Sequence, residues 1–339
     1  MPLIIAGIDE AGYGPLLGPL CVGMCALEIA DWSPGDTAPD VWALLSACVC
    51  RKAGDKRRRI AVEDSKKLKL ANSSTTRHPL THLERGVLAF LAAQRGEALR
   101  TDADLYAALG ASVEDQPWYA GEPIDLPLGT TAEELAIAAN TLASGLATAG
   151  VRPVRLACRV VAEREYNALV RQWGTKAATT GLALREHLRF AWANWSGRAG
   201  SDASEDGCVL RVVCDRQGGR TAYAESLARW VPGAEVVVQD ESPARSRYLV
   251  RSTSGQDAGR EMVVVFQPEA ESACLPVALA SMAAKLTREL LMARFNRHFA
   301  ARLPELKPTA GYRQDAARWL HDAASVVSRS EREEMVRIA

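Results

Sequence analysis

Four carboxylates in this sequence stand where a charge needs a reason. Asp9 and Glu10 close the almost wholly apolar run Leu3 to Ile8, and Asp215 closes Leu210-Arg211-Val212-Val213-Cys214. Glu289 interrupts a stretch in which Leu275, Leu279, Met282, Leu286 and Leu290 recur at helical spacing. A carboxylate at the end of a buried element is costly unless a cation, a partner or water compensates it. Two strand-end aspartates on neighbouring parallel strands would share the carboxyl edge of a sheet, where α/β folds place their ligands, and a divalent ion relieves their repulsion most simply. Oxygen donors without a credible His/Cys cluster point to Mg²⁺ or Mn²⁺ over Zn²⁺. Each carboxylate alone also has a plain reading: strand-end Asp residues cap turns, and Glu289 can be a solvated shoulder of an apolar stripe.

The acidic pair runs directly into Gly12-Tyr13-Gly14 and then Pro15-Leu16-Leu17-Gly18-Pro19. Glycines permit positive φ and close backbone approach, so this loop can press its amides against a sugar or phosphate. Other constellations are weaker. His78 and His82 are four apart but lack partners at metal-ligand spacing, and Cys21/Cys25 and Cys48/Cys50 lack zinc-ribbon spacing. Trp118-Tyr119 reads as a packed loop anchor in preference to a base-stacking platform. No Ser-His-Asp order, Walker loop or dinucleotide fingerprint occurs.

These groups need a scaffold. Leu3 to Ile8 reads as a central strand and Leu20 to Ile29 as its partner; Arg155 to Val161, Val209 to Cys214 and Ala234 to Val238 read as further strands. Helical patterns cover Thr131 to Thr148, Glu163 to Trp195 with breaks near Gly174 and Gly181, Thr221 to Trp230, and a long helix opened by Pro276. Ser246 to Thr253 and Glu261 to Phe266 flank a Gly-containing turn and predict a β-hairpin, whereas Thr101 to Gly129 reads as a loop. The alternation specifies an α/β fold.

Composition agrees. The chain has 339 residues, with 41 Lys+Arg against 41 Asp+Glu, so 41 − 41 leaves no net charge, and 48% are hydrophobic. Disorder, collagen and coiled coil are excluded as descriptions of the whole, as is a charged tail. The segment Arg51 to Arg59 is locally basic, read first as a solvated face with nucleic-acid contact as the alternative. Eight scattered cysteines, several in apolar runs, predict reduced thiols; the absence of a signal-peptide pattern or bilayer-length run predicts a cytoplasmic location without membrane contact.

The segment Asp9-Glu10-Ala11-Gly12 with its following glycines resembles the first motif of the type 2 ribonucleases H, the ribonuclease HII and H2 family. Glu63-Asp64-Ser65-Lys66-Lys67-Leu68 is similar to that family's D-S-K-K-L segment. Val213-Cys214-Asp215-Arg216-Gln217-Gly218-Gly219, with Tyr223, Leu227 and Trp230-Val231-Pro232-Gly233, resembles its D-x-x-G stretch, and Ala280 to Glu289 its A-S-I-x-A-K-V-x-R-D helix. Ala310-Gly311-Tyr312 is similar to its K-G-Y-G segment, so five motifs occur in the family's order.

The resemblance implies a ribonuclease H-like mixed sheet flanked by helices; the β-hairpin then reads as an insertion, and the residues beyond Leu303-Pro304 read as a small C-terminal helical appendage. It implies a catalytic domain over 1–302, with insertions at about 101–129 and 242–271, and a helical segment over 303–339. It implies an endoribonuclease in which Asp9, Glu10, Asp215 and Glu289 hold two Mg²⁺ or Mn²⁺ ions for phosphodiester hydrolysis. The substrate is then an RNA/DNA hybrid or duplex DNA with an embedded ribonucleotide, met in replication and repair. Gly12, Tyr13 and Gly14 would read the ribose 2′-hydroxyl, Tyr312 would pack on a sugar, and Lys66 and Arg288 would neighbour phosphates. The chain departs from the family in carrying Glu289 for an aspartate, Tyr13 for a loop arginine, and 289 − 215 = 74 positions between two of its carboxylates. Rival readings are a binding protein of this fold with weak or lost catalysis, and a related nuclease for structured DNA. A monomer is expected.

Overall fold

The computed structural model describes residues 2–33, 36–113, 116–196 and 209–338. Its elements, in chain order, are β1 (Leu3–Ala11), β2 (Leu20–Ile29), α1 (Val41–Leu44), β3 (Val49–Cys50), β4 (Ile60–Ala61), α2 (Ser65–Leu68), α3 (Thr81–Arg95), α4 (Asp102–Leu109) and α5 (Ala132–Thr148). They continue with β5 (Val151–Val161), α6 (Glu163–Trp173), α7 (Lys176–Trp195), β6 (Val209–Asp215), α8 (Ala224–Trp230), β7 (Glu235–Glu241), β8 (Ser246–Arg251) and β9 (Glu261–Gln267). The chain closes with α9 (Ala270–Ala273), α10 (Leu275–Ala300), α11 (Arg313–Asp322) and α12 (Arg329–Met335).

Seven strands form one mixed sheet in the order β5-β2-β1-β6-β9-β8-β7, so the α/β mixed sheet expected from the sequence is present. β1 is antiparallel to β2 and parallel to β6, and β6 is parallel to β9. Both faces of β1 are covered: Leu3 and Ile5 enter one apolar core with α3, α5 and α10, while Ile4, Ala6 and Ile8 enter another with α6, α7 and α8. This is why β1 reads as a continuous apolar run without polar alternation.

Two glycines set how closely α10 lies on the sheet. A Cβ at Gly7 would fall 2.1 Å from the Val277 nitrogen, and one at Gly23 would fall 2.1 Å from the Ala280 oxygen. Without side chains there, the start of α10 rests directly on β1 and β2.

Several expectations are refined. The hairpin over Ser246 to Phe266 forms as β8 and β9, but β9 also pairs with β6 and is an interior strand of the sheet. The Thr101 to Gly129 segment is not simply a loop: it contains α4, capped by a reciprocal Thr101/Asp104 box, and a 3₁₀ turn at Pro117–Tyr119. Trp118 is buried, edge-on to Phe295, which makes it a packing anchor and removes it as a stacking platform. Asp102 and Arg294 form a buried two-bond pair, both at 2.6 Å, tying this segment to α10. The break near Gly174 is real, with φ +76, but α7 runs unbroken through Gly181.

The C-terminal helices form as expected and are bound into the core through buried Trp319 and Met335. Among the described residues every cysteine is a free thiol; Cys208 lies outside them. No helix among the described residues is long and apolar enough to cross a membrane.

Candidate active site

Three parallel strands end side by side, and each delivers carboxylates to the same edge. The register places Ile8 beside Cys214 and Asp215 beside Gln267, which brings Asp9 and Asp215 to one level of adjacent strands. Beyond Gln267 the chain turns through Glu269, at φ +51, into α9, which carries Glu271. The Asp215 Oδ1 accepts from the Ala270 amide at 3.1 Å, and the Arg216 amide donates to the Gln267 carbonyl at 3.0 Å. These bonds pin the start of α9 to the end of β6. Glu271 therefore stands next to Asp215.

The electrostatics carry the mark of the same cluster. Burial, then the charge of Glu10 and that of Asp215, hold the Asp9 carboxyl well above its ordinary range. Glu10 is pushed up to about 7 by burial and by Asp215, with Lys66 opposing. Asp215 is raised by burial, partly offset by the Ala270 and Arg216 amides and by Lys66, while Glu269 raises it. Glu271 is raised by burial and by Asp215 and Asp64, again with Lys66 opposing. Four carboxylates thus load one another, and one exposed ammonium faces three of them.

Lys66 reaches this position from α2, whose Asp64 caps it by accepting from the Lys66 amide at 2.9 Å. The Ser65 and Ser281 hydroxyls meet at 3.0 Å and lock α2 against α10. Ser281 also lies within hydrogen-bond reach of Asp9.

Glu289 is not brought to this cluster. It follows Ser281 by 289 − 281 = 8 residues, which is about 12 Å further along α10 at the helical rise. There it pairs with Lys285 at 2.8 Å and lies 3.9 Å from Lys69. It lines a separate hollow with His78, Met292 and Asp315. Two acids follow β9: Glu269, which acts on Asp215, and Glu271, which acts on Glu10 and is itself raised by Asp215, so Glu271 is the one that joins the Asp9, Glu10 and Asp215 cluster at more than one point. The strand-end rule that singled out Asp9 and Asp215 points to it as well, once Glu261 to Phe266 is recognised as a parallel neighbour of β6.

The Gly12-Tyr13-Gly14 loop lies at the end of β1 with Tyr13 and Gly14 exposed. Gly12 sits at φ +89, and a Cβ there would fall 2.6 Å from both the Arg288 Nε and the Pro19 oxygen, so only glycine fits; a Cβ at Gly14 meets open space. Arg288 is not beside a phosphate path. It is fully buried beneath the loop and donates to the carbonyls of Leu17 and Ala310 at 3.1 and 3.0 Å. Its role is to support backbone, a correction that burial explains and sequence spacing conceals.

The Leu16 and Leu17 amides donate to the Gly311 carbonyl at 2.8 and 3.2 Å, which brings exposed Tyr312 to the loop. Buried Glu163 accepts from the Gly18 amide at 3.1 Å and from the Tyr119 hydroxyl at 2.7 Å. Arg337, which nothing in the sequence pattern singles out, inserts from the far end of the chain. Its guanidinium donates to the carbonyls of Gly12, Gly18 and Tyr13 at 2.6, 3.4 and 3.1 Å and covers the Tyr166 ring at 3.8 Å. Asn167 fixes that insertion by bonding Val336 and Ile338 on either side, at 2.9 and 2.8 Å.

Among the described residues no three His, Cys, Asp or Glu side chains form a ready-made metal cage. His78 and His82 gain no acidic partner; burial lowers both, and Arg77 and Arg85 lower His82 further. The carboxylate edge does fit a hard cation. Its donors are all oxygen, and the Glu271 Oε2 is buried without a hydrogen-bond partner.

No family model and no curated protein matches this chain. Among solved structures, it is similar to the ribonuclease HII of Archaeoglobus fulgidus, determined in complex with PCNA, at 14% identity over 99% of this chain and 94% of that one, with a TM-score of 0.40. It is similar to the ribonuclease H2 of Pyrococcus horikoshii at 14% identity over 94% and 86% of the two chains, with a TM-score of 0.34. A Bst ribonuclease HIII solved in complex with Mn²⁺ shows 15% identity over 99% of this chain and 66% of that one, with a TM-score of 0.38.

Proposed function

We propose that this chain is a divergent type 2 ribonuclease H: a divalent-metal-dependent endonuclease that hydrolyses the RNA strand of RNA/DNA hybrids or incises duplex DNA at an embedded ribonucleotide. The observation that carries this reading is the convergence of Asp9, Glu10, Asp215 and Glu271 at the shared carboxyl edge of β1, β6 and β9, beside the exposed Gly12-Tyr13-Gly14 loop. The five sequence motifs agree with it.

Asp9, Glu10, Asp215 and Glu271 would hold two Mg²⁺ or Mn²⁺ ions. When bound, such ions activate a water and offset charge on the phosphate and the leaving 3′ oxygen. The remaining work falls to the chain. The left-handed backbone that glycine allows at position 12 and the open space at Gly14 let the loop approach a sugar closely enough to sense a 2′-hydroxyl. Tyr312 and Tyr13 offer exposed rings for sugar faces. Lys66 opposes the carboxylate charge and is free to meet a phosphate.

Hydrolysis forms a bond from water oxygen to phosphorus and breaks the bond to the 3′ oxygen, which leaves with a proton. A labelled duplex with one ribonucleotide, an RNA/DNA hybrid, and an all-DNA junction, each with Mg²⁺ or Mn²⁺, test the reading. Cutting of the ribonucleotide substrates supports it. Cutting of the junction alone, or hybrid binding without turnover at any ion concentration, overturns it.

A further inference from the structure

The basic segment seen in the sequence folds into a rigid turn. Asp55 accepts from the amides of Arg57 and Arg59 at 3.1 and 3.2 Å, and from the Arg59 guanidinium at 3.1 and 2.9 Å. Arg58, at the crown, is held at φ +57, a left-handed conformation that costs a residue with a Cβ. Arg85 of α3 secures it from below by donating to the carbonyls of Arg59 and Arg58 at 2.9 and 2.5 Å. Lys56, Arg57 and Arg58 consequently project from a fixed frame and not from a loose tail.

This turn, α3 and the first half of α5 enclose a cleft of about 760 Å³. Five cations line it: Lys56, Arg57, Arg58, Arg77 and Arg85. The two acids at its wall offset the five cations only in part: Glu134 interacts with Arg58 and Arg85, and Asp55 with Arg85, but the hydrogen bonds of both carboxylates go to other groups. Asp55 is spent on Arg59, and the Glu134 carboxylate accepts from the Thr130 hydroxyl at 2.6 Å and caps α5 through Thr131. Among the described residues Lys56, Arg57, Arg58 and Arg77 make no ion pair within 4.0 Å. His82, on the cleft wall, is lowered by burial and then by Arg77 and Arg85, as a local excess of positive charge requires.

We propose that this cleft is a second nucleic-acid contact, taking the phosphodiester backbone of duplex nucleic acid away from the carboxylate edge. A duplex is favoured over an acidic protein because the same segment is tied to the candidate active site. Arg51 donates to the Ser272 carbonyl at 2.9 Å, one residue beyond Glu271, and Lys66 follows the basic turn through β4. Unpaired cations on a preorganised frame bind a regular phosphate array with little ordering cost.

The proposal rests on the ribonuclease reading for its ligand, so its test is independent of cleavage. Binding to ribonucleotide-free duplex DNA in EDTA is measured for the wild type and for a Lys56→Gln, Arg57→Gln, Arg58→Gln triple variant, across about 50 to 200 mM salt. Thermal unfolding checks that the variant is folded, and Arg77→Gln gives a second variant outside the turn. The slope of log affinity against log salt should flatten by about one for each phosphate that a variant no longer neutralises. Superimposable slopes for folded variants overturn the proposal. So does loss of poly-glutamate binding with duplex binding retained, which assigns the cleft to an acidic protein. A nuclease that cuts normally but shows no such slope change would sink this inference and leave the catalytic reading standing.

Discussion

The Arg337 guanidinium donates to the Gly12 carbonyl at 2.6 Å across 325 residues of chain. The same side chain holds Tyr13 and Gly18, so the C-terminal segment shapes the loop next to Asp9 and Glu10. Position 13 carries a tyrosine and no cation of its own; the structure supplies one from beneath, directed at backbone oxygens.

Arg337→Ala leaves three loop carbonyls without their charged donor. The expected destabilisation is about 2 to 4 kcal/mol by thermal or urea unfolding. In ribonucleotide incision, KM should rise about tenfold with kcat changed much less, because the loop contributes to binding in ground and transition states alike. Arg337→Lys keeps the charge but not the planar fork, and should recover stability better than KM. Equal loss of kcat and unchanged KM would contradict a role in loop positioning.

Glu10 gives a pH prediction. Its folded-state value of about 7 lies above the ordinary 4.5, so folding favours the protonated form. The stability this contributes is full below pH 4.5 and is lost as pH rises through 7, by about 3 kcal/mol at most. Glu10→Gln should therefore stabilise the metal-free protein at pH 8 and do little at pH 4. The thermal shift produced by Mn²⁺ in the wild type should grow over the same window, since bound ions require the deprotonated form. A variant that is equally stabilised at both pH values would refute carboxylate repulsion at this edge.

His187 works in the opposite sense. It is buried against the Val22 carbonyl, with its Nε2 at 2.9 Å, and burial lowers it to about 4. Its neutral form stabilises the fold above pH 6.5, and that stability is lost as pH falls through 4. His187→Gln should flatten the acid limb of the stability curve between those values. An unchanged limb would show that His187 is not among the groups that drive acid unfolding.

How much of this was legible in the sequence depends on whether each residue's role is local. Asp9 and Asp215 announce themselves because a charge ends an apolar run. Glu271 does not, because its meaning depends on β9 pairing with β6. That register joins Leu210 to Met262, 262 − 210 = 52 positions on, and hairpin patterning hides it. Gly12 is legible as a backbone device, whereas Lys66 enters only through the motif resemblance, as a phosphate neighbour; the structure places it opposite the acids. Glu289 and Arg288 lie elsewhere than the motif resemblance implies, because a matched helix segment does not say how far along the helix the site lies or whether a cation is buried. α4 is hidden in the sequence because prolines downstream and its polar first turn resemble a loop.

Asp102 and Arg294 yield a stability prediction for that segment. Their two bonds of 2.6 Å are buried, and Arg294 also donates to the carbonyls of Tyr119 and Gly121 at 3.0 and 3.2 Å. Arg294→Met should cost about 3 to 5 kcal/mol by leaving Asp102 buried and unpaired. Asp102→Asn with Arg294→Met should cost less than the two single changes summed, in a double-mutant cycle read by urea unfolding. Strict additivity would deny the coupling.

The central claim is that the acidic edge of β1, β6 and β9 cleaves at ribonucleotides and that Glu271 belongs to it while Glu289 does not. The direct measurement is the single-turnover incision rate of a duplex with one ribonucleotide, in Mg²⁺ or Mn²⁺, for the wild type, Glu271→Gln and Glu289→Gln. The account predicts incision by the wild type, a loss of about 100-fold or more in Glu271→Gln, and a rate within about threefold of wild type in Glu289→Gln. No incision by the wild type, or a loss confined to Glu289→Gln, would contradict it.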